Sequence, residues 1–349
     1  MNPWGFTERE LKNEEDLEKL KVFLSSFDLV YEDSVDYTIL ILDNENEIIA
    51  AGSLFRNILK GLAVNQDYQG DQLIDYLVSH LISVAKEKGY YHYFIFTSPQ
   101  MAESFKYLGF NEIARAEQMA VLLEYGNQNI ENYYSIMKEK TSADYSLEGA
   151  GIVVNCNPFT NGHRYLIEYA SQREKRVHVF VLEEDLSTFP FETRLMLVRE
   201  GTKDLGNVFV HPGGSYIISS AIFPAYFLKT EDAKTLAQAK LDVKIFANYV
   251  MRIFNLSARY VGEEPYCMVT SCYNKAMMEE LLPLGKKLII IPRKQISGEV
   301  ISASHVRKAL RENDFTKIAS LVPETTLKFL KSAEAKYIIE KLKNKESRH

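Results

Sequence analysis

Cysteine is scarce in this chain of 349 residues. Only Cys156, Cys267 and Cys272 occur, which is no disulfide framework and no paired-cysteine zinc motif. Reduced thiols in a cytoplasmic protein are the expectation. A basic excess is also missing. Lys and Arg number 41 against 47 Asp and Glu, a net charge of −6. That argues against a general nucleic-acid binder and leaves room for a local basic pocket that holds phosphate. No apolar run approaches the roughly 20 residues of a membrane helix, so no membrane partner is expected. The opening "MNPWGFTERELKNEEDLEKL" has early acids and no apolar core, and is not expected to act as a signal peptide. Long repeats and low-complexity tracts are absent too.

What is present is ordinary globular composition, 46% hydrophobic and 25% charged. The length favours two domains, each able to bury a sizeable core. In the first third, residues 36–42, 47–55, 61–64 and 90–97 read as strands. Residues 72–89 place Leu73, Leu77, Leu81 and Val84 at helical spacing and stop at Gly89. Residues 102–110 read as a short helix. Residues 125–150 are polar and mixed, and a domain boundary is placed inside them. Beyond it the pattern alternates. Strands fall at 151–155, 177–182, 208–211, 258–262 and 287–292, with helices near 163–172, 192–204, 234–255, 273–282 and 303–313. Short apolar strands alternating with helices imply a parallel sheet covered on both faces. Ligands of such sheets bind outside the carboxyl ends of the strands.

The stretch "NPFTNGH" (157–163) lies at the carboxyl end of the first of those strands. Gly162 lets backbone approach a ligand closely. The helix opening near His163 offers free N–H groups and the positive end of its dipole. Thr160 and His163, three apart, can both donate toward one anion. Taken alone, the stretch also fits an ordinary strand-to-helix connection. A second stretch, "ISASHVR" (301–307), starts another helix. Its Ser302 and Ser304 can cap or donate. Arg307 shares a helix face with Ser304 and suits phosphate, because its fork donates two bonds at once. Alone, this also fits a capped surface helix. Together, two helix N-termini with phosphate-type donors follow the first and the last strand.

"TNGH" resembles the [T/H]-x-G-H signature of the nucleotidyltransferase superfamily, and "ISASHVR" its I-S-S-T-x-x-R signature. The longer blocks "VVNCNPFTNGHRYLIEYA", "FPFETRLMLVREGTKDLGNVFVHPGGSYIISSAIFPAYFLK" and "YVGEEPYCMVTSCYNKAM" are similar to the citrate lyase ligase family over essentially the whole chain. "LAVNQDYQGDQLIDYLVSHL" with "AESFKYLGF" resembles a GNAT-type N-acetyltransferase. The fold class implied is α/β: a GNAT-like α+β domain over 1–135, then a Rossmann-like parallel-sheet nucleotidyltransferase domain over 145–349. In the first domain the coenzyme A loop, Q/R-x-x-G-x-G/A, reads Gln69 to Ile74 and has lost both glycines, to Gln72 and Ile74. Asp71 adds a repelling charge. Docking of citrate lyase or its carrier subunit is expected there, in place of acetyl transfer.

The resemblance implies an ATP-dependent ligase. It activates acetate as acetyl-adenylate and acetylates the thiol of the prosthetic group on the citrate lyase acyl carrier subunit, releasing AMP and pyrophosphate. Acetate is ionised at neutral pH and needs no base for the first step. His163, Thr160 and Arg307 are the expected catalytic residues, with Arg307 on the β- and γ-phosphates. Asn157, Gly162, Gly262, Ile301, Ser302 and Ser304 are the expected ATP-binding residues. Mg²⁺ is expected with ATP, held mostly by phosphates and water. Arg194 either reaches phosphate or acetate or forms a surface ion pair. Glu263 and Glu264 read as solvated acids, Cys156 as packing, and residues 332–349 as a charged terminal helix. With Thr160 where many relatives carry a second histidine, His163 should bear more of the catalytic effect. An alternative is an adenylyltransferase that moves AMP from ATP to a phosphate or mononucleotide. Two others are an acetyltransferase using the first domain and a non-catalytic carrier-binding module.

Overall fold

The computed structural model describes residues 6–68, 72–183, 187–217, 227–228, 230–263, 268–296 and 298–344. Glu264, Cys267 and Gln69 to Asp71 lie outside the described residues, as do residues 345–349. The chain folds as two compact units. One comprises Met1–Asn132 with Phe223–Leu241, the other Tyr133–Ile222 with Asp242–His349.

The first unit runs β1 (Thr7–Glu10), α1 (Glu14–Ser25), β2 (Tyr37–Leu42), β3 (Ile48–Phe55), β4 (Ile58–Val64), α2 (Leu73–Glu87), β5 (His92–Thr97), α3 (Ala102–Tyr107), β6 (Asn111–Ala116) and β7 (Ala120–Gly126). Its seven-stranded sheet has the order β1-β2-β3-β4-β5-β7-β6. Every pairing is antiparallel except β4 with β5, which is confined to Ile58 opposite Phe94 and Leu59 opposite Ile95. Leu73, Leu77 and Leu81 of α2 pack on Ile39, Ile41, Ile49 and Ile95 of the sheet. This is the helical face read from the sequence. Gln72, where the coenzyme A loop pattern has its first glycine, holds a left-handed φ of 57°. The backbone shape that favours glycine is kept after the glycine is gone, at a cost of about 1 kcal/mol.

The stretch 125–150, read as a mixed boundary, holds the end of β7 and a helix, α4 (Ile130–Glu139). Ile130 and Tyr134, four apart, are both buried. The apolar signal was short and sat among charged residues, so periodicity underweighted it.

Beyond the boundary the chain runs β8 (Gly149–Val154), α5 (Asn161–Ser171), β9 (Val177–Val181), α6 (Phe191–Thr202), β10 (Val208–Pro212), α7 (Glu231–Ile245), β11 (Leu256–Gly262), α8 (Met268–Leu281), β12 (Lys287–Ile291), a small ribbon of β13 (Gln295–Ile296) and β14 (Glu299–Val300), α9 (Ala303–Arg311), α10 (Phe315–Leu321), α11 (Glu324–Leu330) and α12 (Ala333–Asn344); of these, α7 as far as Leu241 groups with the first unit and the rest form the second. The sheet order is β10-β9-β8-β11-β12, with all pairings parallel. The chain works outward from β8 on one side and then restarts on the other. The reversal between β8 and β11 is the switch point where such sheets open a crevice.

Two packing devices shape this unit. Ile152, Val154, Val179 and Val181 pack with Ile167 of α5 and Leu195 and Val198 of α6. Near α7 a π-helical turn (Phe246–Met251) brings Phe246 against Gly151, where a Cβ would stand 2.7 Å from the ring. Farther along, His178 and His211 stack with ring centroids 5.1 Å apart, among Phe180, Phe209 and Phe254. The Arg176 guanidinium donates to Nε2 of His178 at 3.3 Å. So the proton of His178 sits on Nδ1 and is given to Nε2 of His211, 2.8 Å away. Helices α9 to α12 form their own apolar cluster around Val306, Leu310, Ile318, Leu330 and Leu342, joined by Phe189. The terminal charged helix is therefore packed along one face and not merely solvated.

Candidate functional site

β8 and β11 pair from Gly149 and Leu256 as far as Gly151 and Arg259. Beyond that pairing, Val153, Val154 and Asn155 on one strand and Gly262 on the other line a cavity of about 510 Å³. That volume suits a nucleotide-sized ligand. The cavity brings together Thr160, Gly162, His163, Gly262, Ile301, Ser302, Ser304 and Arg307, eight of the residues singled out from the sequence. Asn157 and Arg194 do not line it.

The turn into α5 explains its own composition. Thr160 is the N-cap of α5 and its Oγ1 accepts from the His163 amide at 3.3 Å. In return the amide of Thr160 donates to Nδ1 of His163 at 3.1 Å, and Oγ1 lies 2.9 Å from the same nitrogen. Nδ1 must then be the acceptor, so the ring proton sits on Nε2. Burial, with the Arg293 guanidinium nearby, lowers the His163 pKa to about 4. His163 is thus a neutral imidazole at physiological pH, with a fixed N–H donor. Phe159 stacks on it at 6.1 Å, and Gly201 of α6 makes room for Phe159. Asn161 donates to the Ser320 carbonyl at 3.0 Å and ties α5 to α10.

Thr160, expected as a catalytic residue, and Asn157, expected as an ATP-binding residue, are both bonded into the scaffold. Thr160 is 1% exposed, and its hydroxyl is spent on the cap and on Nδ1. It positions His163 and does not supply a separate donor to an anion. Asn157 accepts the Phe189 amide on its Oδ1 at 3.0 Å, and its carbonyl accepts from Nη1 of Arg307 at 2.6 Å. Its place is behind the wall, and Asn155 stands at the cavity instead. The peptide bond from Asn157 to Pro158 is cis.

Arg194 is a fuller correction. It is 0% exposed, so it forms no surface ion pair. Its fork donates to the carbonyls of Phe189 (3.0 Å), Asn155 (2.8 Å) and Leu182 (2.7 Å) and to Oδ1 of Asn155 (2.9 Å). A guanidinium with those bonds clamps the carboxyl ends of β8 and β9. Cys156 is buried, and burial pushes its thiol well above the usual range, so packing is its role. Glu263 is exposed and its carbonyl accepts from Nε of Arg293 at 2.8 Å.

The second stretch faces the first. Ser302 is the N-cap of α9, with Oγ accepting from the His305 amide at 3.2 Å and lying 2.8 Å from Oγ of Ser304. A Cβ on Gly162 would stand 3.2 Å from the Ile301 carbonyl. Glycine therefore lets the starts of α5 and α9 approach each other. Arg307 is half-buried, and burial together with Arg311 lowers its pKa from the usual arginine value. It stays charged at neutral pH.

Residues 293 and 294 were missed. Arg293 and Lys294 follow β12 directly and line the cavity, with Nζ of Lys294 5.9 Å from the Tyr165 ring centre. The available signal was a basic pair at the carboxyl end of an apolar strand, in "IIIPRK". With Arg307 they give the lining three cations, and no Asp or Glu is among the described lining residues. Two helix N-termini and three cations around one cavity suit a polyanion.

The family described as citrate lyase ligase C-terminal domain matches residues 149–330. The citrate pro-3S-lyase ligase of Haemophilus influenzae is 35% identical over 328 residues, covering 93% of this chain and 97% of that protein. The Escherichia coli protein of the same name is 35% identical over 334 residues, covering 94% of each. Among solved structures, a GNAT-family acetyltransferase from Staphylococcus aureus covers 35% of this chain and 100% of its own, at 18% identity and a TM-score of 0.30. An acetyltransferase from Streptococcus agalactiae covers 36% and 99%, at 16% identity and a TM-score of 0.31.

Proposed function

This chain belongs to the citrate lyase ligase family, and from that premise we propose how its residues perform the reaction. It is an ATP-dependent ligase that activates citrate lyase. In the first step an acetate oxygen attacks the α-phosphorus of ATP, the bond to the β-phosphate breaks, and pyrophosphate leaves. In the second, a thiol sulfur attacks the carbonyl of acetyl-adenylate and AMP leaves. The thiol belongs to the acyl carrier subunit of citrate lyase.

The observation that carries this reading is the facing of the α5 and α9 N-termini across a cavity lined by Arg293, Lys294 and Arg307. Catalysis of the first step is positioning and charge stabilisation, since acetate brings its own negative oxygen. The Nε2–H of His163 donates to the phosphates as charge moves onto the leaving group. Arg307 holds the β- and γ-phosphates, and Arg293 and Lys294 share that charge. Ser302 and Ser304 add neutral donors. Gly262 has, chain neighbours aside, no atom of the described residues within 4 Å of where a Cβ would stand, so a base can lie against it. Magnesium would arrive on the nucleotide, held by phosphates and water. Among the described residues no group of three His, Cys, Asp or Glu could hold a metal ion.

The domains at 1–135 and 145–349 divide the labour in this reading. The first, acetyltransferase-like, docks citrate lyase or its carrier subunit, and the second performs the chemistry. No described helix is long and apolar enough to cross a membrane.

The test is exchange of labelled pyrophosphate into ATP. It should require acetate and should fall at least 100-fold in His163→Ala and in Arg307→Ala. An adenylyltransferase would instead need a phosphate or nucleotide acceptor, and its exchange would ignore acetate.

A further inference from the structure

Gly201 lies in the last turn of α6 and is not among the residues that line the cavity. Its φ is outside the left-handed region, so backbone shape does not require glycine there. Within a helix, glycine is a poorer choice than alanine. The position is explained by the space it leaves.

That space is filled by the ring of Phe159. A Cβ on Gly201 would stand 2.8 Å from Cδ1 of Phe159 and closer still to Cε1. Real Cβ atoms do not approach so near, so one side would have to move. The last turn of α6 is held in place. The Gly201 carbonyl accepts from Nη1 of Arg164, the residue after His163. The same guanidinium pairs with both oxygens of Asp204, at 2.8 and 2.6 Å, just past the end of α6. So the end of α6 is tied to the first turn of α5, and the ring is what would shift. Phe159 is fully buried, in a cluster with Ile167, Leu195 and Val198. Its neighbour toward the cavity is the His163 imidazole, stacked at 6.1 Å with the planes 15° apart.

Thr160 holds His163 at Nδ1 only. Those contacts fix the tautomer and one corner of the ring. The stack on Phe159 fixes the plane, and with it the direction of the Nε2–H at the opposite corner.

Resting on the ligase reading above for what that donor does, we infer that Gly201 is a positioning residue for His163. Its missing side chain seats Phe159, and Phe159 aims the Nε2–H. Helix α6 then serves the site at both ends. Its first turn clamps the ends of β8 and β9 through Arg194, and its last turn sets the plane of the imidazole.

The experiment is a set of double-mutant cycles on acetate-dependent pyrophosphate exchange by the full-length enzyme. Gly201→Ala should lower kcat about tenfold and leave KM for ATP within about twofold, because a misdirected donor weakens the transition state more than the bound substrate. Adding Gly201→Ala to Phe159→Leu, where the ring is gone, should change kcat by less than about twofold. Adding it to His163→Ala should be equally silent. A glycine needed only for folding would cost activity in the His163→Ala background too. Such a loss, parental kcat in Gly201→Ala, or an effect confined to KM would each overturn the inference. Phe159→Leu alone tests the stack without crowding α6. It should lower kcat about fivefold at unchanged KM, and parental kcat there would also overturn the inference, whether or not Gly201→Ala folds. Parent exchange that ignores acetate would sink the ligase reading instead, and the coupling to His163 is read equally well on that exchange.

Discussion

The hydroxyl oxygen of Thr160 lies 2.9 Å from Nδ1 of His163, and the amide nitrogen of Thr160 lies 3.1 Å from the same atom. The capping residue therefore sets the tautomer of the histidine it precedes. Thr160→Ser should keep both contacts and most activity. Thr160→Val should lower kcat for pyrophosphate exchange about tenfold with little change in KM for ATP, and lose about 1 kcal/mol of stability with the cap. A Thr160→Val enzyme with parental kcat would show that the tautomer does not matter.

Arg307 spends one nitrogen on the Asn157 carbonyl, which aims the rest of its fork at the cavity. Lysine cannot do both. Arg307→Lys should raise KM for ATP about tenfold and lower kcat as well, measured by steady-state exchange. Equal kinetics would place the triphosphate elsewhere.

Gly162 and the Ile301 carbonyl sit so close that a Cβ at 3.2 Å would press on the carbonyl and push it back by a few tenths of an ångström. Gly162→Ala must widen the gap between the starts of α5 and α9. Alanine is otherwise the better helix residue. The expected result is a near-parental melting temperature with weaker ATP binding, read by calorimetry. Unimpaired binding would mean that the two helix starts need not approach so closely.

Arg194 satisfies three carbonyls in a fully buried place. Arg194→Met leaves them unpaired, at about 1–3 kcal/mol each. Denaturant unfolding should show a loss of at least ~3 kcal/mol. A loss near zero would contradict the clamp.

Burial, reinforced by His211 and Arg176, lowers the His178 pKa to about 2, and burial with Arg199 lowers that of His211 to about 4, both from 6.5. The unfolded chain thus binds protons that the folded one refuses. Stability is whole above pH 6.5 and falls as the pH drops below it, by about 1.4 kcal/mol per pH unit per histidine. Urea midpoints at pH 7.5 and pH 5 should differ accordingly, and His211→Phe should flatten part of the slope.

Much of the second unit could be read in advance because the inner strands β8, β9 and β11 are mostly buried, so their apolar composition announces them. The two helix starts announced themselves through Thr160, Gly162, His163, Ser302 and Arg307. Arg194 was opaque because an arginine on a helix looks the same whether it meets solvent or three carbonyls. Arg293 and Lys294 were passed over because their meaning depends on where β12 ends. Helix α4 hid because its buried side is narrow. In each case the missing information was which strand end or cavity the residue would face, and that is set by tertiary order.

That order has a consequence for how the enzyme comes into being. Arg307 bonds to Asn157 across 150 residues of chain, and the strand beside β8 at the switch point is β11. During synthesis the first half of the nucleotide clamp emerges long before the second. Until β11, β12 and α9 have been made and have docked, the α5 helix start faces no partner. If the two helix starts bind ATP as proposed, the clamp is complete only when the last third of the chain has found its place.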